Sequence, residues 1–132
     1  MPSHALPAFD APDLMTRLRA LDPEALDGLD FGLLGFGLDT DATVTVYNAT
    51  EQRGSGLPRD KVVGLPLFAV VAQCMNNYLI AQRFEDALAE GTALDATLDW
   101  VFTLRMRPTP VTLRLLATPG DDTRYVAVRR LT

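Results

Sequence analysis

The first periodic signal in the chain is helical. Leu14, Met15, Leu18 and Leu21 recur at the spacing of one helix face, Asp10 or Asp13 can cap its start, and Asp22-Pro23 ends the run. This predicts a short amphipathic cap with one apolar stripe. A second turn over residues 23–29 leads into Phe31-Gly-Leu-Leu-Gly-Phe-Gly-Leu38, whose glycines predict a twisted or bulged strand packed closely against a neighbour. Asp39-Thr-Asp41 reads as the turn, and Thr43-Val-Thr-Val-Tyr47 then alternates strictly, the pattern of a half-buried partner strand.

The middle of the chain is less regular. Gln52-Arg-Gly-Ser-Gly-Leu-Pro58 is rich in breakers and predicts short turns or short helical pieces bending around a pocket. After the apolar run 62–72, residues Leu79, Ile80, Arg83, Phe84, Ala87 and Leu88 trace one face of a helix over about 76–90, with Gly91 where a left-handed C-terminal residue belongs. Three strands follow, over about 98–106, 111–117 and 125–131, with Pro119-Gly-Asp-Asp122 as a hairpin turn. Two strands, helices and three strands predict an α+β architecture: a central antiparallel five-stranded sheet with one face covered.

Composition narrows the functions available. With 132 residues, 48% of them hydrophobic, the chain is the size of one domain that can bury a real core. Residues 1–28 read as the helical cap and 29–132 as the core. A net charge of -5 and no evident basic patch argue against nucleic-acid or anionic-membrane partners, because Arg105, Arg107, Arg114, Arg129 and Arg130 fall on separate strand-like segments. The start of the chain lacks a signal-peptide pattern and no run is long enough to span a membrane, so a reducing, cytoplasmic setting is expected.

The candidate chemistry is sparse. Cys74 is the only cysteine, which excludes an internal disulfide and a cysteine metal cage, and the only histidine, His4, lies near the start of the chain, so a Cys-His enzyme is not expected. One thiol can hold a group covalently, and Tyr47 and Glu51, four apart, could hydrogen-bond that group at its far end. A cysteine ahead of a helix start would also gain from the local amide dipoles.

The element order is that of PAS domains, and Val46-Tyr-Asn-Ala-Thr-Glu51 followed by Val62-Val-Gly-Leu-Pro-Leu-Phe68 looks like their second strand and helical crossover. Within that superfamily the chain resembles the photoactive yellow protein (xanthopsin) family over about residues 26–131. The matches begin at Leu26-Asp-Gly-Leu-Asp-Phe-Gly32 and include Tyr47-Asn48-Ala49, Glu51, Gly56, Val63-Gly64, Phe68, Val71-Ala72, Cys74, Phe84, Gly91, Phe102, Met106 and Pro108.

The resemblance implies a blue-light photoreceptor. Cys74 would carry trans-p-coumaric acid as a thioester, with Tyr47 and a protonated Glu51 hydrogen-bonding its phenolic oxygen. It further implies trans-cis photoisomerisation, proton transfer from Glu51, and partial unfolding driven by a buried carboxylate left without a partner, with the amphipathic cap as the part released. Met106 would speed thermal recovery, Trp100 and Phe102 would border the pocket, and Ser55 would bond the Tyr47 hydroxyl. The expected partner is an unidentified downstream signalling protein, the chain itself being a monomer or weak homodimer. Leu57 departs from the pattern, standing where familiar members have an arginine that screens the pocket, as does Gln73, where proline is usual before the cysteine. The competing reading is a PAS module that binds a noncovalent small ligand.

Overall fold

The computed structural model describes residues 6–103 and 108–130. Its centre is a five-stranded antiparallel sheet of β1 (Gly32–Phe36), β2 (Val44–Tyr47), β3 (Leu94–Phe102), β4 (Thr109–Ala117) and β5 (Arg124–Arg130), in the spatial order β2-β1-β5-β4-β3. The helices are α1 (Leu14–Arg19) and α2 (Pro23–Asp27) before the sheet, α3 (Ala49–Ser55) after β2, and α4 (Ala81–Glu90) before β3. Short turns over Arg59–Lys61, Leu67–Val71 and Gln73–Met75 complete the crossover.

Both faces of the sheet are covered, where the sequence predicted one. On one face Leu34, Phe36, Val44, Leu113, Leu115, Val126 and Val128 meet the crossover residues Leu67, Phe68, Met75, Ile80 and Phe84. On the other, Leu33, Leu116, Tyr125 and Ala127 meet Phe9, Leu14, Leu18, Leu26 and Leu29 of the N-terminal segment. The two-residue period of β4 and β5 makes this division, since alternate side chains leave on opposite faces. Alone, α1 is too short to be stable in water. Burial holds it: each such leucine or phenylalanine contributes about 2 kcal/mol on leaving water.

Boundaries differ from the sequence reading in three places. The segment 49–55 forms a continuous helix despite Gly54, because the Asn48 side chain caps it by accepting from the Glu51 N–H at 3.0 Å. The later helix begins at Ala81 rather than about 76, because Asn77 intervenes: its side-chain oxygen accepts from the N–H groups of Leu79 and Ile80 while its amide donates to the Cys74 carbonyl. Strand β3 begins at Leu94, earlier than predicted, extending the ladder with β4 back to Ala117. Gly91 closes α4 with φ 67°, as its position suggested.

Candidate functional site

The face of the sheet that meets the crossover, where the sequence leads one to expect the pocket, is assembled by one irregularity. Along β1 and β2, Gly35 pairs with Val46 but Phe36 pairs with Val44, so Thr45 is an extra residue. Strict alternation would send Val44 and Tyr47 to opposite faces; with the bulge both enter the same core cluster. The bulge therefore delivers Tyr47 to the pocket side. Asn48 then turns the chain. Its side-chain oxygen accepts from the Leu33 and Glu51 N–H groups, and its amide donates to the Leu26 and Phe31 carbonyls at 2.8 and 3.1 Å. The role of Asn48 as cap and bracket is visible in the sequence only as an asparagine three residues ahead of a glutamate.

Tyr47 and Glu51 are both buried. Around the Tyr47 hydroxyl the hydrogen bonds form a ring: the Leu57 N–H donates to Ser55 Oγ at 3.1 Å, Ser55 and Tyr47 share a hydrogen bond, and the Tyr47 O–H donates to the Leu57 carbonyl at 3.1 Å. Since that carbonyl can only accept, Ser55 donates to Tyr47 in this arrangement. Burial pushes the Tyr47 phenol above its ordinary value, which the Ser55 hydrogen bond partly offsets and the nearby Glu51 reinforces, so the hydroxyl keeps its proton.

Glu51 is fully enclosed, and both carboxyl oxygens meet Arg130 of β5 at 2.7 and 3.0 Å. Burial pushes its pKa up, and the hydrogen bonds and charge of Arg130 pull it back. The sequence-based expectation that ionised Glu51 would be left without a partner is therefore corrected: the partner is in place. In the sequence Arg130 is one of several arginines on separate strand-like segments, yet its two-residue spacing from Val126 and Val128 puts it on the core face.

Cys74 lies in the short turn Gln73–Met75, half-buried against the same apolar cluster that contains Tyr47 and Phe102. Helix α4 starts well past it, so the helix-start argument for the thiol does not apply. Trp100 and Phe102 lie two apart on β3 and share this face, Phe102 buried and Trp100 partly so. Leu57 packs against the same cluster as an apolar residue. Met106 lies outside the described residues.

Donors without acceptors border the cluster. Trp100 pairs with Val111 and Val111 with Arg130, giving one cross-strand row on which Trp100 Nε1 and Arg130 Nε are buried and meet no acceptor among the described residues. Donors left this way in an apolar site suit a guest that brings oxygen acceptors.

A five-stranded antiparallel sheet with this helical crossover defines the PAS fold. The PAS domain of an HTR-like protein from Haloarcula marismortui superposes with a TM-score of 0.63 at 15% identity over 90% of this chain and 98% of its own. The photoactive yellow protein of Halochromatium salexigens is 30% identical over 123 residues, 93% of this chain and 96% of the relative. That of Rhodothalassium salexigens is 28% identical over the same shares. The photoactive yellow protein domain of the sensor histidine kinase Ppr from Rhodospirillum centenum has a TM-score of 0.74 at 31% identity, covering 84% of this chain and 95% of that domain. No family model matches the chain. The chain belongs to the photoactive yellow protein family, a photoreceptor family of PAS fold.

Proposed function

We propose that this protein is a blue-light photoreceptor in which Cys74 holds p-coumaric acid as a thioester while Tyr47 and Glu51 hold its phenolic oxygen. What supports this reading, beside membership of the family, is that Tyr47 and the half-buried Cys74 share one apolar cluster, while the enclosed Glu51 is held by Arg130, whose guanidinium lies over Phe102 of that cluster. When bound, the group would supply absorption of violet-blue light and a double bond that isomerises. The protein's residues do the rest.

Cys74 would supply the thiolate that forms the S–C bond as the leaving group of an activated acyl donor departs, and its backbone N–H would be the donor to the carbonyl. Tyr47 donates its O–H to the guest oxygen by turning from the Leu57 carbonyl, while Ser55 continues to donate to Tyr47. Glu51 holds the movable proton on one carboxyl oxygen and gives it up after illumination; burial favours its neutral form beside an anionic guest. Trp100 and Phe102 wall the site and exclude water, and Met106 is the residue expected to assist thermal return. A chain of this kind acts through a downstream signalling protein.

The test is reconstitution with activated p-coumaric acid. A visible band that bleaches in the light and is absent in Cys74→Ala is expected, with the adduct seen as added mass. Glu51→Gln should keep the band but move it to longer wavelength, since an amide donates less strongly than an acid. Failure of the wild type to form any bleachable band dependent on Cys74 leaves the noncovalent PAS module as the better reading.

A further inference from the structure

Arg130 contacts Glu51 with both ends of its fork, Nη1 to Oε1 at 2.7 Å and Nη2 to Oε2 at 3.0 Å. That pattern fits a carboxylate, whose two oxygens both accept; a protonated carboxyl would turn an O–H toward an N–H. The backbone makes room for both partners. A Cβ on Gly32 would fall onto Glu51 Oε1, and one on Gly54 would stand 2.5 Å from Arg130 Nη1. Gly54 lies inside α3, where glycine is a poor choice, and space for the guanidinium explains it. Phe102 closes the other side, its ring centre 5.9 Å from Arg130 Cζ.

The remaining polar groups near Glu51 do not substitute for Arg130. Tyr47 of β2 is neutral. Asp27 of α2 receives the Ala49 N–H at the start of α3 and is held by Arg59, and the β1 residues are glycine or apolar. Among the described residues, Arg130 is the cation bonded to Glu51.

The geometry points to Arg130 as the positioning residue that decides when Glu51 holds its proton, a built-in counter-cation competing with the chromophore oxygen for the Glu51 carboxyl. In the chromophore-free protein Glu51 is a carboxylate paired with Arg130. To hold an anionic guest oxygen, Glu51 takes up one proton from solvent, forming an O–H bond, and loosens from Arg130. In the light Glu51 loses that proton to the guest oxygen: one O–H bond breaks, one forms, and total charge is unchanged. The carboxylate then returns to Arg130, which stabilises the light state and slows recovery.

This inference rests on the photoreceptor reading for its consequence in light, but not for the pairing, so it is tested in two arms. In the chromophore-free protein, the Glu51 carboxyl is titrated by infrared or labelled-glutamate NMR, with Glu51→Gln to assign it. Arg130→Gln should raise its proton affinity about tenfold or more and Arg130→Lys should restore most of the wild-type value. Gly54→Ala, a helix-favouring change that crowds the guanidinium, should shift it in the same direction as Arg130→Gln. In protein loaded with p-coumaric acid and verified by mass, Arg130→Gln should recover from the light about tenfold faster, with Arg130→Lys between. An unchanged Glu51 titration in Arg130→Gln and Gly54→Ala overturns the inference, as does an unchanged recovery in a variant that carries the adduct. If no adduct forms in any variant, the photoreceptor reading fails and the first arm still decides the pairing.

Discussion

Arg114 and Arg130 leave adjacent strands on opposite faces of the sheet, and each grips a carboxylate with two nitrogens. On the cap face, Arg114 is buried and Asp95 half exposed, with side chains 8% and 50% accessible. On the pocket face the order reverses: Glu51 is 0% accessible and Arg130 19%. The reversal matters because a buried guanidinium cannot shed its charge, whereas a buried carboxyl can by taking a proton. Arg114 accordingly meets acceptors all round. Nε and Nη2 donate to Asp95, both at 2.8 Å, and Nη1 donates to the Phe9 and Ala11 carbonyls at 2.9 and 2.7 Å. Arg130 leaves Nε without an acceptor among the described residues. One pair is a fixture that ties the N-terminal segment to the sheet; the other is a contact that a single proton can release.

The largest expected effect falls on the fixture. Arg114→Ala removes the donors to two cap carbonyls and to Asp95, and should lower stability by about 3 kcal/mol in urea unfolding. The N-terminal segment should become the first site cut in limited proteolysis. Arg130→Ala should cost less, below about 2 kcal/mol at neutral pH, since the stranded Glu51 can protonate. Equal losses, or a larger loss at Arg130, would break the distinction between fixture and releasable contact.

Next in size is the pH dependence of folding, and the two faces again differ. The Glu51 pKa is raised in the folded protein, chiefly by burial, so between the ordinary carboxylate value and the raised one the folded state holds a proton that the unfolded chain has released, and above both Glu51 is the carboxylate paired with Arg130. Stability from this group is therefore present in acid and lost as pH rises from the unfolded value, near 4.5, through the folded one. Removing Arg130 takes away the groups that lower this pKa, so the loss in Arg130→Gln should extend to higher pH than in the wild type. Glu51→Gln should abolish it. Urea midpoints across that range, compared with Arg114→Ala, which should leave the Glu51 slope intact, provide the check.

The two regions were also unequally legible in the sequence. The Tyr47-to-Glu51 spacing, the lone Cys74 and the alternation of the final strands are local patterns, and they led to the family and to the PAS fold that the chain has. The face on which Tyr47 lies was not local: it depends on Thr45 having no partner in β1, and an alternating run contains no mark of the skipped position. The Glu51–Arg130 contact joins residues 79 apart, so only the assembled order β2-β1-β5 brings them together. Arg114 was hidden for the same reason, its cap partners lying more than 100 residues upstream. The cap stripe at Leu14 and Leu18 was plain, but an amphipathic stripe says nothing of which surface it covers. Here it is the second face of the sheet.

The smallest expected effect separates the two faces through their tyrosines. Burial raises the phenol of Tyr47 on the pocket side and of Tyr125 on the cap side, but only Tyr47 has a side-chain hydrogen bond that lowers it, from Ser55. Ser55→Ala removes that donor and leaves the Leu57 N–H without its acceptor, a loss of about 1 kcal/mol in stability. The Tyr47 phenol should then titrate at higher pH, while Tyr125, whose neighbours are Arg19, Asp121 and Asp122, should not move. Ultraviolet titration of tyrosinate, with Tyr47→Phe to assign the step, distinguishes them. Movement of both tyrosines would mean that Ser55 acts through the sheet as a whole; movement of Tyr47 alone would show that the hydrogen-bond ring is a local device of the pocket face, able to open toward a guest oxygen without disturbing the cap.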